Sequence, residues 1–291
     1  MKTLLRSYFY RQFRSAGFYV QVGILFVLGL IVALIMLAVG FYEDPGYDKT
    51  YFALLGWTGT GLINGLPWIP LTLFAFAGAI NYHREVTSGA LRNYIVSGHS
   101  RTQIYLGLYI GNLVYYFCLQ IATFLGLGLL GVIFAKAPGE SFDPGSFAAC
   151  FLLCTFVDIA LVTFYYVLFS VMKGHGFSGP LGVIIYTGLS VLSTIVTLVL
   201  TFMFRQQSLS GDVLKGYLTA SVWIYPVLRD TLASGSLHDA PSAQLVTMIS
   251  GDLGPVDNTM MNLAAGIVLP TLLGAGSFVL GLIRFRKADF K

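Results

Sequence analysis

Asn81–Tyr105, NYHREVTSGALRNYIVSGHSRTQIY, is the stretch on which the reading of this chain turns. It is a polar, basic island between two long apolar runs, carrying Arg84, Glu85, Arg92 and Arg101 and no proline. Read as a helix from about Thr87 to Ser97, it sets Ala90, Leu91, Tyr94 and Ile95 on one face, the spacing of an amphipathic helix. Gly98 supplies a stop, because glycine takes the left-handed conformation without a steric penalty. Ser100 with Gln103 forms an S-x-x-Q capping box that starts a new helix into the next apolar run. The stretch reads as a short amphipathic helix in a tight intracellular hairpin between two membrane crossings, a surface suited to a soluble partner.

Composition agrees with that setting. The chain has 291 residues, of which 56% are hydrophobic and 10% charged, with a mean hydropathy of +0.77. A water-soluble domain carries about 25% charged residues. Six apolar runs approach the roughly 20 residues needed to cross the hydrocarbon core. They lie at about 18–41, 54–80, 104–134, 147–172, 179–204 and 263–283. The fold class expected is an all-α polytopic membrane protein forming a single transmembrane domain over 1–291. The first run is about 24 residues, longer than the 7–15-residue core of a cleavable signal peptide, so it reads as a retained span.

Charge placement orients the spans. With both termini inside, the inner segments hold Lys2, Arg6, Arg11, Arg14, Arg84, Arg92, Arg101, Lys173, Arg284, Arg286, Lys287 and Lys291. The outer segments hold only Lys49, Lys136, Arg205, Lys215 and Arg229. An excess of Lys and Arg marks the cytoplasmic side, so both ends are expected in the cytoplasm. Residues 1–17, MKTLLRSYFYRQFRSAG, mix Leu4, Leu5, Tyr8, Phe9 and Phe13 with four cations. They read as an interfacial elbow helix, with aromatics in the acyl boundary and cations towards anionic lipid.

Polar residues inside the spans are the remaining candidates for a site. Span two contains Asn64, Pro67 and Pro70. Each proline frees a carbonyl that a neighbour must satisfy, which marks either a pathway-lining kink or a structural one. Span three carries Asn112, Gln120 and the pair Gly107-x-x-x-Gly111, a pattern that lets helices approach closely without naming a partner. Asp158 sits near the middle of span four, where an ionised acid costs roughly 2.5–3.5 kcal/mol on insertion scales. It must face protein or water, be protonated or be hydrogen-bonded, with Gln120, Thr155 and Tyr165 as partners in reach. Two roles stay open for it, a structural or dimer contact and a step in a translocation pathway. Residues 205–262 form the longest extramembrane piece, and within it Tyr217–Leu232 reads as a short interfacial or re-entrant helix.

No catalytic constellation is visible. Cys118, Cys150 and Cys154 lie in apolar spans without metal spacing. His83, His99, His175 and His238 form no H-E-x-x-H, and there is no G-x-S-x-G. Gly46-Tyr-Asp-Lys49-Thr50 ends like a phosphate loop but lacks the second glycine before lysine. No cofactor is expected on this chain, and any work it does needs energy from elsewhere.

The arrangement resembles the type-2 permease family of ATP-binding-cassette (ABC) transporters. That family shows an N-terminal elbow helix, six spans, and after span two an acid-x-x-x-Gly motif followed by an amphipathic helix and Ser-Arg. Here these read Glu85-Val-Thr-Ser-Gly89, Ala90–Val96 and Ser100-Arg101, with Gly98-His99 where family members often carry proline. The resemblance implies a permease dimer, most simply of two copies, each carrying one separate cytoplasmic ATPase subunit that binds ATP and Mg. The hairpin, about 82–103, is then the coupling hairpin. Glu85, Gly89, Leu91, Arg92, Tyr94, Ile95 and Arg101 are its implied ATPase-coupling residues, and Asp158, Gln120 and Asn64 are pathway candidates. The chain looks nearest to compact Gram-positive permeases, including exporters of amphipathic peptide toxins of the phenol-soluble-modulin type. That look implies a bacterial plasma-membrane location, an amphipathic peptide-like cargo and no nucleic-acid partner. Drug or antimicrobial self-protection, or lipid-linked cargo, is the neighbouring expectation. A stand-alone secondary carrier would show inverted repeats and paired broken helices, and a membrane scaffold would have no need of the polar hairpin helix.

Overall fold

A computed structural model describes residues 2–39, 53, 55–57, 69–134, 144–172, 177–206, 210–233, 237 and 257–287. Asn64, Pro67, residues 173–176 and most of residues 234–256 lie outside the described residues. Every element among the described residues is helical. Five helices there are long and apolar enough to cross a membrane, and they mark the chain as a multi-pass helical membrane protein.

The order is α1 (Lys2–Phe13), α2 (Ala16–Val39), α3 (Ile69–Thr87), α4 (Ala90–Val96), α5 (Arg101–Phe134), α6 (Pro144–Val171), α7 (Ser178–Arg205), α8 (Gly211–Ser221), α9 (Tyr225–Ala233) and α10 (Thr259–Lys287). α3 does not end where its apolar run ends. It continues from Ile80 through His83, Arg84 and Glu85 to Thr87, so Thr87 closes α3 and does not open α4. The physical reason is local: the Thr87 hydroxyl donates back to the His83 carbonyl at 2.9 Å, and Gly89 then turns left-handed. α5 contains one wide π turn at Phe124–Gly128, where glycine lets α2 press its backbone against the helix.

The core is aromatic. Phe74, Tyr105, Tyr115, Tyr116, Tyr165, Tyr166 and Phe169 are all fully buried. Phe74 meets Tyr116 edge-on at 5.6 Å, and Tyr105 meets Tyr166 at 5.1 Å. Such pairs contribute about 0.5–1.5 kcal/mol each beyond burial. Two of the hydroxyls are anchored, with Tyr166 donating to the Tyr105 carbonyl at 3.0 Å and Tyr105 to the Phe278 carbonyl at 3.2 Å. These bonds tie α5 to α6 and α10, and α6 and α10 pack along one another.

Gly107 and Gly111 acquire a partner within the chain. Leu4 and Tyr8 of α1 seat on them, one side chain per glycine, and a Cβ at either position would collide with its occupant. Both pairs are four residues apart, so the i, i+4 ridge of α1 fits the i, i+4 groove of α5. The elbow helix is therefore docked on protein along one face, with Leu4 and Tyr8 buried.

Candidate functional site

α4 is a seven-residue helix held between two left-handed glycines, Gly89 at φ 71° and Gly98 at φ 84°. Its C-terminal end is a Schellman motif. Gly98 N–H donates to the Ile95 carbonyl at 3.0 Å and His99 N–H to the Tyr94 carbonyl at 3.1 Å. The capping box follows as its sequence suggests. Gln103 N–H donates to Ser100 Oγ at 3.2 Å, and Ser100 N–H to Gln103 Oε1 at 3.1 Å.

The faces of α4 divide cleanly. Ala90 and Leu91 are buried, and Tyr94 and Ile95 half-buried against the body of the protein. Arg92, Asn93, Val96 and Ser97 point outward, with Val96 80% exposed. Of the residues singled out in the sequence, Leu91, Tyr94 and Ile95 thus seat the helix on its own chain, and Arg92 remains on the free face. An exposed valine on a polar knob is the feature that apolar periodicity passes over, because it lies off the buried stripe.

Glu85 and Arg101 brace the hairpin. Arg11 of α1 donates to Glu85 Oε2 at 3.0 Å and to the Tyr94 hydroxyl, with its guanidinium 5.6 Å from the Tyr94 ring centre. Burial pushes the Glu85 carboxyl above the usual carboxylate range, and Arg11 beside it offsets part of that rise. Arg101 Nη1 donates to the Arg286 carbonyl at 2.7 Å, and Arg286 Nε returns a bond to the Thr102 hydroxyl at 3.1 Å. Arg101 therefore satisfies a carbonyl at the C-terminal end of α10, a favourable place for a cation. The N-terminal and C-terminal helices both converge on this hairpin.

A second polar centre lies deep in the bundle. Asp158 is the fifteenth residue of the 28-residue α6, about 20 Å from either end at 1.5 Å per residue. Its Oδ1 accepts from Arg229 Nε at 3.2 Å, and its Oδ2 from Arg229 Nη2 at 3.4 Å and Gln120 Nε2 at 3.1 Å. The Tyr116 hydroxyl lies against the same carboxylate. Of the partners anticipated for Asp158, Gln120 is present. Thr155 instead bonds its own helix and receives Trp57, and Tyr165 packs on Gly182.

Arg229, read from sequence as an outer-loop cation, is fully buried. Tyr225, Leu228, Arg229 and Leu232 follow the 0, 3, 4, 7 spacing of a buried helical stripe, the signal that marks it out. The segment is two helices and not one: α8 turns at Val222–Ile224 into α9. The Tyr217 hydroxyl of α8 donates to the Ser193 carbonyl at 3.3 Å, and that of Tyr225 in α9 to the Val157 carbonyl at 2.6 Å. Ser193 is about 18 Å inside the Arg205 end of α7. α8 and α9 thus reach the middle of the bundle from the end opposite α4.

No family model matches the chain, and searches of curated proteins and of solved structures return no match. What the fold defines is a class: a multi-pass helical membrane protein with a braced, outward-facing helical knob and a buried charge pair.

Proposed function

We infer that this chain is the membrane-spanning subunit of an ABC exporter, driven by ATP and Mg bound on a separate ATPase subunit. The observation that carries this reading is the braced knob. A short helix fixed at both ends by left-handed glycines, tied to the first helix through Arg11 and to the last through Arg101, passes on a rigid push better than a loose loop. Its free face offers Arg92, Asn93 and Val96 to a cleft in the motor. In this reading the chain crosses six times with both ends cytoplasmic, residues 54–80 making the second crossing. Two copies pair, and each receives one ATPase in the bacterial plasma membrane. The cargo is amphipathic and peptide-like, suited to spans rich in aromatic residues and poor in charge.

Affinity purification of the tagged chain should bring down an ATPase carrying a G-x-x-x-x-G-K-[ST] loop in equal amount, with ATP turnover that rises on adding an amphipathic peptide. The R92E/V96D variant should insert normally and lose that subunit. Peptide export by the purified chain on an ion gradient alone, with no nucleotide, would overturn the reading.

A further inference from the structure

The outer face of α1 is the strongest feature that the knob and the charge pair leave unexplained. Leu4 and Tyr8 are buried on α5, and the opposite side opens outward, with Phe9 and Phe13 half-buried where it meets the core and Phe13 edge-on against Phe18 at 5.0 Å. There Arg6, Phe9, Tyr10, Phe13 and Arg14 line an open depression of about 650 Å³. Its floor is apolar, formed by Phe9 and Phe13 stacked at 5.8 Å, and Tyr10 is 61% exposed. Arg14 donates to the Tyr10 hydroxyl and holds its guanidinium 5.3 Å from that ring centre.

Two further observations say what covers this face. The first is position. Only Arg14 and Ser15 separate α1 from the apolar α2, so α1 cannot leave the surface of whatever membrane α2 enters. The second is charge. Residues 1–42 contain no acid, and of the arginines of α1 only Arg11 is committed to a carboxylate among the described ion pairs. Arg6 and Arg14 stand about 12 Å apart along the axis, at the two rims of the apolar floor. A free anion would use the rims and leave the aromatic floor wet, whereas a phospholipid fits both.

We propose that this face of α1 is a binding site for an anionic phospholipid, its acyl chain lying over Phe9 and Phe13 and its phosphate held by Arg6 and Arg14. The proposal rests on α2 being a membrane span and not on the exporter reading. Arg11, turned inward to Glu85 and Tyr94, plays no part in holding the lipid.

The test is lipid retention by the purified full chain, read by native mass spectrometry. The probes are phosphatidylglycerol, cardiolipin and phosphatidylcholine, with inorganic phosphate as competitor. Each basic residue near an anionic surface contributes about fivefold, so the wild type should retain the anionic lipids at least about fivefold over phosphatidylcholine. R6Q/R14Q should bring that ratio close to one. R284Q, which removes an exposed cation from the end of α10, should leave it unchanged. An equal loss in R284Q would overturn the proposal in favour of general surface charge, and so would an R6Q/R14Q protein that keeps its preference. Displacement of lipid by millimolar phosphate would show an anion site only and overturn it as well. If R6Q/R14Q does not fold, photoactivatable phosphatidylglycerol on the wild-type chain decides: labelling within residues 5–14 supports the site, and labelling elsewhere overturns it.

Discussion

The Arg11–Glu85 contact is asymmetric in what each partner contributes. Glu85 is mostly buried, with its side chain 15% exposed, while that of Arg11 is 41% exposed. Burial lifts the carboxyl above its ordinary value of 4.5 despite the cation, so the folded protein holds that proton more tightly than the unfolded chain. Stability from this group therefore falls as pH rises through the window above 4.5. Glu85→Gln should accordingly be neutral or mildly stabilising at pH 7.5, with the difference from wild type shrinking on acidification. Arg11→Gln leaves a buried carboxylate without its cation and should cost about 1 kcal/mol at pH 7.5. Thermal unfolding of both variants at pH 7.5 and pH 5 checks the pair, and a large loss in E85Q would contradict it. Neither half of this contact is legible in the sequence, where Glu85 and Arg11 are 74 positions apart. Gly98 and the Ser100–Gln103 box are legible, because a cap needs only its neighbours.

Helix ends and helix faces differ in how much of them a linear reading recovers. Five of the six apolar runs fall on the five membrane-length helices, since hydrocarbon thickness sets a minimum length, while most of the run at 54–68 lies outside the described residues. They miss the extension of α3 to Thr87, because a helix leaving the apolar layer has no reason to stop there. Gly107 and Gly111 announce a close approach but not its occupant, and the ridge of Leu4 and Tyr8 that fills it lies about a hundred residues away. Gly111→Ala forces a methyl group against the Tyr8 ring and should loosen α1 by about 1–3 kcal/mol, the usual cost of overpacking. Limited trypsinolysis after Arg11 and Arg14 should then accelerate severalfold. Gly17→Ala adds its methyl where nothing lies within 4 Å and should leave the rate unchanged. Equal rates in the two variants would mean that α1 is not docked on α5.

For the molecule as a whole, the buried pair Asp158–Arg229 joins α9 to the centre of the bundle. Removing one partner of such a pair leaves an uncompensated charge and costs about 3–5 kcal/mol. Asp158→Asn should show that loss in thermal unfolding, and the D158N/R229Q double variant should recover part of it through a double-mutant cycle. A D158N protein within about 0.5 kcal/mol of wild type would mean that the pair is hydrated. Half of this centre is readable in advance, since a mid-span acid demands a partner and Gln120 is nearby. Arg229 escapes because a segment too polar to cross is naturally assigned to the outside, and only the fold carries it inward.

The wide turn at Phe124–Gly128 bears on how this chain can change length. It holds one residue more than regular winding requires. Excising a residue anywhere else in Arg101–Phe134 swings everything beyond by about 100° and turns lipid-facing groups into the bundle. Excision within 124–128 lets the helix close to ordinary pitch with Leu129–Phe134 still in place, at the expense of the recess that receives the Phe26 backbone. A shortened chain that still folds should carry its gap there.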